Sequence, residues 1–277
     1  MHSLNHKSYN QIGEEGSSSL GSILLNCVNL STLGLYLYQN QINEQGVSTL
    51  CSYLKNCKNL SNLTLQLTDN QIGVQGAQAL SSAIVSCQNI SVLSLYLYNV
   101  QIGDEGTKAL SVAFLSCINL SNLTLLLARN QIGLQGAQAL GSSLANCTNL
   151  QSLKLFLVNN QIGNQGLSAL STGLLSNKSL SNLKIDLTNN QINDEGVLVL
   201  GTTLANSTKI KSLGLDLTNN QIGVEGVVAL GSCLAKCINL SNLTFQLRQN
   251  QLSDAQKQRL VIKIFKFKRL VAKSIAL

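Results

Sequence analysis

The residues best suited to chemistry in this chain are its two histidines and eight cysteines. Both histidines, His2 and His6, lie so near the start that neither is placed to pair with a nucleophile in a cleft. Most of the cysteines recur at the same position of a 30-residue repeat. Equivalent positions of stacked repeats should lie farther apart than the roughly 7 Å that a disulfide spans. We therefore expect buried free thiols and a reducing compartment. Six cysteines recur in phase with a 30-residue period: Cys27, Cys57, Cys87, Cys117, Cys147 and Cys237.

Metal and catalytic chemistry have little support in the sequence. Cys233 and Cys237, four apart on a predicted helix, are a possible start of a zinc site, but no histidine is near them. The sequence has no phosphate loop, no H-E-x-x-H pair and no kinase signature. The acidic pair Asp104 and Glu105 suits a helix dipole better than acid–base catalysis. We predict a non-enzymatic protein with no cofactor, no metal and no small-molecule substrate.

A 30-residue repeat must position every side chain of interest. In the unit that begins at Leu60, leucines alternate with polar residues from Leu63 to Leu67, which predicts a strand with one buried face. From Ala77 to Cys87 the apolar residues are spaced by three and four, which predicts a helix with one buried stripe. Stacked units would bury both faces. The tripeptide Asn-Gln-Ile, or a close variant, marks each unit at Asn10, Asn40, Asn70, Val100, Asn130, Asn160, Asn190, Asn220 and Asn250.

Two constant polar positions have structural explanations. Asn70 and its equivalents follow the strand, where an amide can bond neighbouring backbone groups in the turn. Gly76 and its equivalents open each helix, where a missing side chain permits close approach to the sheet. Val100 interrupts the asparagine series, and we expect a local cost of about 1–3 kcal/mol if a buried backbone group loses its partner.

The pattern L-x-L-x-x-N-Q-I-x-x-x-G-x-x-x-L-x-x-x-L resembles the leucine-rich repeats of ribonuclease inhibitor, the Ran GTPase-activating protein and NOD-like receptors. It is also similar to the 30-residue leucine-rich repeats of ciliate proteins. The resemblance covers about residues 10–252 and implies an α/β solenoid, a right-handed horseshoe with a parallel sheet on the concave face and helices on the convex face. It does not imply a single function, because many functions share this fold.

We predict two parts: a leucine-rich-repeat solenoid of eight strands over 1–252, and a basic amphipathic capping helix over 253–277. Ser253-Asp254-Ala255-Gln256 has the pattern of a capping box. Seven of the chain's 19 Lys and Arg lie after residue 252, with one of its 12 Asp and Glu, so the repeats are near neutral. No strand is expected before Asn10, which leaves the first helix as a cap or implies lost upstream repeats. Apolar residues share one face of the C-terminal helix: Leu260, Ile264, Phe267, Val271 and Ile275.

Strand residues that alternate with leucine should face the concave surface. Exposed aromatic groups over several strands usually mark an interface, although aromatics also suit strands for packing reasons alone. Over the first five strands the predicted apolar patch would extend roughly 20 Å. Asp186 and Asp216 follow on the next strands and could meet a basic group of a partner. The patch comprises Tyr36, Tyr38, Tyr96, Tyr98, Leu126, Phe156 and Val158.

These features predict a scaffold that binds a protein partner on its concave face. One alternative is a GTPase-activating or other signalling regulator resembling the Ran regulator, but that family has an acidic tail and this tail is basic. Another is a membrane or nucleic-acid adaptor acting through the C-terminal helix, for which the capping role is preferred. Nucleic-acid binding also lacks support because the repeats do not interleave aromatic and basic residues. With no apolar leader and no run of about 18 apolar residues, we expect a cytoplasmic or nuclear protein. The partner's identity and the oligomeric state stay open.

Overall fold

A computed structural model describes residues 3–4, 10–27, 29–253, 255–256, 258 and 271–276. Strands and helices alternate from β1 to β9, and each strand from β1 to β8 is followed by the helix of its own repeat. The elements are β1 (Ser3–Leu4), α1 (Gly13–Leu24), β2 (Thr32–Tyr36), α2 (Glu44–Leu54), β3 (Asn62–Gln66), α3 (Gly73–Ser86), β4 (Val92–Tyr96), α4 (Gly103–Ser116), β5 (Asn122–Leu126), α5 (Leu134–Ala145), β6 (Ser152–Phe156), α6 (Gly163–Ser176), β7 (Asn182–Asp186), α7 (Asp194–Asn206), β8 (Ser212–Asp216), α8 (Val224–Leu234), β9 (Asn242–Gln246) and β10 (Ala272–Ala276).

The ten strands form one parallel sheet in chain order. From β2 to β9 the register joins each residue to the one 30 positions later, as in Leu65 with Leu95. Successive helices pack side by side along the sheet. This arrangement confirms the predicted α/β leucine-rich-repeat solenoid.

The core lies between the sheet and the helices. Leu63, Leu65 and Leu67 are fully buried, and so are Ala77 and the other helix residues of the predicted stripe. Each repeat supplies the same set, so the buried leucines stack into continuous rows through the solenoid. Burying one large apolar side chain stabilises the folded state by about 1.5–3 kcal/mol, and each unit repeats this contribution.

The asparagine after each strand bonds backbone groups of two repeats. The side-chain oxygen of Asn160 accepts from the backbone N–H groups of Asn130 (3.0 Å) and Ile132 (2.9 Å). Its amide nitrogen donates to the carbonyls of Leu127 (3.0 Å) and Leu157 (2.9 Å). The predicted role of this position is confirmed, and it extends to joining one repeat to the preceding one.

Val100 occupies the asparagine position of its repeat and is completely buried. Its side chain has no acceptor for the backbone N–H groups of Asn70 and Ile72, which an asparagine would bond by analogy with Asn160. Its own backbone N–H still donates to Asn130 at 3.2 Å. The solenoid continues through this repeat with unchanged register.

The helix-opening glycines permit close packing against the isoleucine at the start of their own helix and against the preceding helix, rather than against the sheet. A Cβ on Gly76 would lie 2.6 Å from Ile72 Cγ2 and 2.9 Å from Val47 Cγ1 on α2. The prediction that this position needs a small residue is therefore confirmed, whereas the prediction that the glycine packs against the sheet is wrong.

The C-terminal prediction is wrong at its far end, because residues 272–276 form β10 rather than helix. The last repeat strand, β9, would otherwise leave a row of N–H and C=O groups unpaired. The Leu247 N–H donates to the Ala276 carbonyl at 2.8 Å, and the Val271 N–H donates to Ser241 at 2.7 Å. A spacing of four fits a helix face, but it is also even and therefore fits one face of a strand.

The start of the predicted capping helix is present. The backbone N–H of Ser253 donates to Gln256 Oε1 at 2.8 Å, which is one half of a capping box. Ala255 and Gln256 have helical backbone. Most of the basic face predicted for this segment, including residues 259–270, lies outside the described residues.

The N-terminal expectation is also corrected, since β1 pairs with β2 and the sheet has ten strands rather than eight. Leu4 is in register with Leu35, an offset of 31 residues rather than 30. Holding the 30-residue phase placed Asn5 opposite Leu35, and this one-residue difference concealed the strand.

Candidate functional site

Two rows of side chains cross the sheet on the face opposite the helices. The first, the Tyr36 row, follows the strand register across β2 to β9: Tyr36, Gln66, Tyr96, Leu126, Phe156, Asp186, Asp216 and Gln246. The second, the Tyr38 row, lies two residues farther on, where inter-repeat backbone bonds such as Gln39 N–H to Thr68 O (2.9 Å) continue the ladder. The predicted columns are therefore real rows of the structure.

None of the nine residues predicted for the partner surface is packed under the helices. Tyr36 is 39% exposed, and the other eight are half-buried along the same face. The leucines that alternate with them are buried. This agrees with the predicted orientation, while partner binding by these residues stays a prediction.

The aromatic patch is divided by a polar repeat. On β3 the two rows carry Gln66 and Thr68, and the Thr68 hydroxyl donates to Gln66 Oε1 at 2.9 Å. Tyr36 and Tyr38 on one side are thus separated from the aromatics of β4 to β6. We use the name central aromatic patch for Tyr96, Tyr98, Leu126, Phe156 and Val158.

Two cations that sequence reasoning missed lie over rings of the central aromatic patch. The Arg129 guanidinium carbon is 5.6 Å from the centre of the Tyr98 ring, and Lys184 Nζ is 5.3 Å from the centre of the Phe156 ring. Both distances are in the range of cation–π attraction. Lys184 lies between Leu183 and Ile185 on β7, so alternation along the strand predicts the face on which it lies but not the direction of its side chain.

A mixed-charge depression continues the surface beyond the patch. It has a volume of about 350 Å³ and spans β6 to β9. We call it the lysine–aspartate pocket, defined by Lys154, Lys184, Asp186, Gly214 and Asp216. The register sets Lys154 beside Lys184 and Asp186 beside Asp216. Within the described part of the chain, none of these four charged groups forms an ion pair.

Both aspartates of the pocket are held in place by the backbone. The Thr188 N–H donates to Asp186 Oδ1 at 3.0 Å, and the Thr218 N–H donates to Asp216 Oδ1 at 2.9 Å. Burial raises the pKa of Asp186, bonds from Thr188 oppose that rise, and the neighbouring Asp216 adds to it. Both carboxylates are therefore fixed in direction, and that of Asp186 is incompletely neutralised by the protein.

The cysteines are free thiols, and seven of the eight are buried, whereas Cys27 is half-buried. Burial raises the pKa of Cys51 and of Cys117 to about 12, and that of Cys87 and of Cys147 to about 11. Such thiols have little thiolate near neutrality, so they are poor nucleophiles. Across the described ranges, no three His, Cys, Asp or Glu side chains group as a metal site would require.

No helix within the described residues is both long enough and apolar enough to cross a membrane.

Comparison with known proteins identifies the repeat. Four segments match the family model described as Leucine Rich repeat: residues 59–81, 146–171, 179–201 and 210–231. The chain therefore contains leucine-rich repeats. No curated protein sequence is significantly similar to the whole chain.

The solved structures that are similar to this chain include the following two. Internalin C2 from Listeria monocytogenes is 24% identical, with a TM-score of 0.48, over 92% of this chain and 83% of that one. Leiomodin-1 actin-binding site 2 is 17% identical, with a TM-score of 0.39, over 52% of this chain and 79% of that one. With both TM-scores below 0.5, neither likeness bears on what this chain binds.

Proposed function

We propose that this protein is a non-catalytic scaffold that binds a protein partner on its concave face, through the central aromatic patch. The observation that carries the proposal is that Tyr96, Tyr98 and Phe156 lie together on the sheet face that the helices leave uncovered. Leucine-rich-repeat proteins generally present such extended concave surfaces to partners.

The surface has the composition expected of an interface centre. Tyrosine and arginine are enriched among the residues that dominate binding energy, and Arg129 stands over Tyr98. Half-buried rings that are already held by neighbours lose little side-chain freedom on binding. A partner would thus meet a preformed apolar strip bordered by charge.

The chemistry of the remaining side chains supports a role without catalysis. Most of the thiols are buried, and burial keeps them protonated near neutrality. Buried free thiols persist in reducing compartments, and we accordingly propose a cytoplasmic location.

The test is to replace Tyr96 and Phe156 together by aspartate and to recover partners from cells. Two charges at the centre of an apolar interface should reduce recovery at least about tenfold, since the buried centre of an interface is depleted of charge. Circular dichroism should stay unchanged, because both side chains lie outside the core.

A matched control carries Val112→Asp and Leu115→Asp on α4. These side chains are 56% and 47% exposed on the helix face, so the control adds the same charge to the opposite surface. It should recover partners as the unmodified protein does. Equal recovery by both double variants would remove the central aromatic patch as the binding site.

A further inference from the structure

We infer that the lysine–aspartate pocket holds an extended segment of a protein partner that carries an arginine and an acidic residue two positions apart. The inference rests on the proposed function, because the segment would belong to a partner lying along the concave face. It assigns that partner a chemical signature at strands β6 to β8.

The pocket places like charges side by side. Neighbouring strands are about 4.8 Å apart, and like charges directly opposite one another destabilise a sheet. The register brings Lys154 opposite Lys184 and Asp186 opposite Asp216. One acidic group placed between the two lysines would relieve their repulsion. One basic group placed between the two aspartates would relieve theirs.

The repeat itself does not require these charges. Other strands carry uncharged residues at the lysine position, namely Gly34, Thr64, Ser94, Thr124 and Thr244. The fold is the same in all of them, so the four charges concentrated on β6 to β8 serve something other than folding.

The charges also do not neutralise each other within the protein. Lys184 Nζ lies over the Phe156 ring rather than beside a carboxylate. Lys154 is exposed and makes no ion pair with any residue that the structure describes. Attraction between Lys184 and Asp186 is present but is the weakest influence on the pKa of Asp186.

The spacing of the pocket matches an extended peptide. On β7, Lys184 and Asp186 are two residues apart, about 6.5–7 Å, which is also the distance between side chains i and i+2 of an extended segment. Lys154 and Asp216 lie on the two flanking strands, so the gaps between the like charges are also offset by one strand, about 4.8 Å, and the segment has to cross β7 obliquely. One guanidinium can donate to two carboxylates with its fork of N–H groups. One carboxylate has two oxygens, one for each ammonium.

Gly214 provides the space for this segment. It continues the lysine row on β8, in register with Lys184, and a Cβ at this position would lie 3.2 Å from Lys184 Cγ. A larger side chain here would both fill the depression and displace Lys184, without changing any charge.

The probes are blocked pentapeptides titrated into the full chain and followed by the amide NMR signal of Gly214. Two contain the pair in either order, acetyl-Ala-Arg-Thr-Glu-Ala-amide and acetyl-Ala-Glu-Thr-Arg-Ala-amide, because the segment can run either way along the strands. Two controls carry two arginines or two glutamates. One Arg/Glu order should bind about fivefold to tenfold more tightly than either control, as two half-exposed ion pairs would give.

Variants locate the effect. Gly214→Val should abolish the peptide-dependent shift, read in this variant at the Asp216 amide because the Gly214 signal is absent, whereas Thr124→Val, at the equivalent position of β5, should leave it intact. Exchanging the charges, with Lys154→Asp and Lys184→Asp combined with Asp186→Lys and Asp216→Lys, should reverse which peptide order binds better. Equal shifts from all four peptides, or no shift at all, would overturn the inference.

Failure here is distinguishable from failure of the proposed function. If no peptide binds while Tyr96→Asp with Phe156→Asp loses the partner, the scaffold stands without this signature. If the peptides bind the pocket while that double variant keeps its partner, the pocket stands and the central aromatic patch does not.

Discussion

Replacing Val100 by asparagine should stabilise the protein, although it puts a polar side chain into a fully buried position. In the neighbouring repeats this position serves two backbone N–H groups and two carbonyls, as Asn160 does. Asparagine at position 100 would offer its oxygen to the N–H groups of Asn70 and Ile72. Its amide nitrogen would donate to carbonyls that already accept from other asparagines. Such sharing occurs elsewhere in the protein, since the Leu157 carbonyl accepts from both Asn160 and Asn190.

The expected magnitude follows from two opposing contributions. Giving an acceptor to two buried N–H groups is worth about 1–3 kcal/mol each. Losing the buried valine costs about 1.5–3 kcal/mol. The free energy of unfolding should therefore rise by about 1–2 kcal/mol, and the reverse exchange, Asn160→Val, should lower it by a similar amount.

Urea unfolding followed by circular dichroism measures both changes, and hydrogen exchange gives the local readout. In Val100→Asn the amides of Asn70 and Ile72 should exchange about tenfold more slowly, as expected for a local gain of about 1.4 kcal/mol. A loss of stability in both variants would refute the reasoning, because buried volume rather than backbone bonding would then govern this position.

Two further predictions concern the helices and the thiols. Gly173→Ala should destabilise the protein by about 1–3 kcal/mol, because the added Cβ would overlap the backbone of Gly141 where α5 meets α6. Gly201→Ala is the control, because its Cβ would meet only side-chain atoms of Cys233 and Leu230, at 3.1–3.2 Å. Thermal unfolding should show a smaller loss of stability for Gly201→Ala than for Gly173→Ala. Stability should also fall above pH 8.5. Burial raises the pKa of the Cys51, Cys57, Cys87, Cys117 and Cys147 thiols, so the unfolded chain loses protons that the folded chain keeps. Each thiol contributes at most about 1.4 kcal/mol per pH unit between about pH 8.5 and its folded pKa. The difference between the urea midpoints at pH 8 and pH 10 should become smaller in Cys117→Ala, and an unchanged difference would exclude burial of this thiol as a cause.

The period of the sequence was sufficient to predict the interior of the fold. A strict 30-residue spacing fixed which residues of a unit face inward, so the burial of Leu63, Leu65 and Leu67 followed directly. It also predicted the rows on the open face, because alternation on a strand leaves no other direction for Tyr96 and Phe156.

The repeat period did not predict the strands at the two ends of the sheet or the lysine–aspartate pocket. Val271 and Ile275 are four residues apart, a spacing compatible with both a helix face and a strand face, and only the open edge of β9 decides between them. The pocket depends on where the Lys184 side chain leans and on the space above Gly214. Both are properties of neighbouring strands that a linear pattern does not contain.

The unbroken offset of 30 residues from β2 to β9 has a consequence for how such a surface can change over generations. A duplication or deletion of one whole unit would leave every buried contact with an equivalent neighbour. A duplication or deletion of one unit between β5 and β7 would shift the tyrosines relative to the aspartates by one strand spacing, about 4.8 Å. The proposed binding surface can therefore be lengthened or shortened in steps of one strand while the core beneath it keeps its packing.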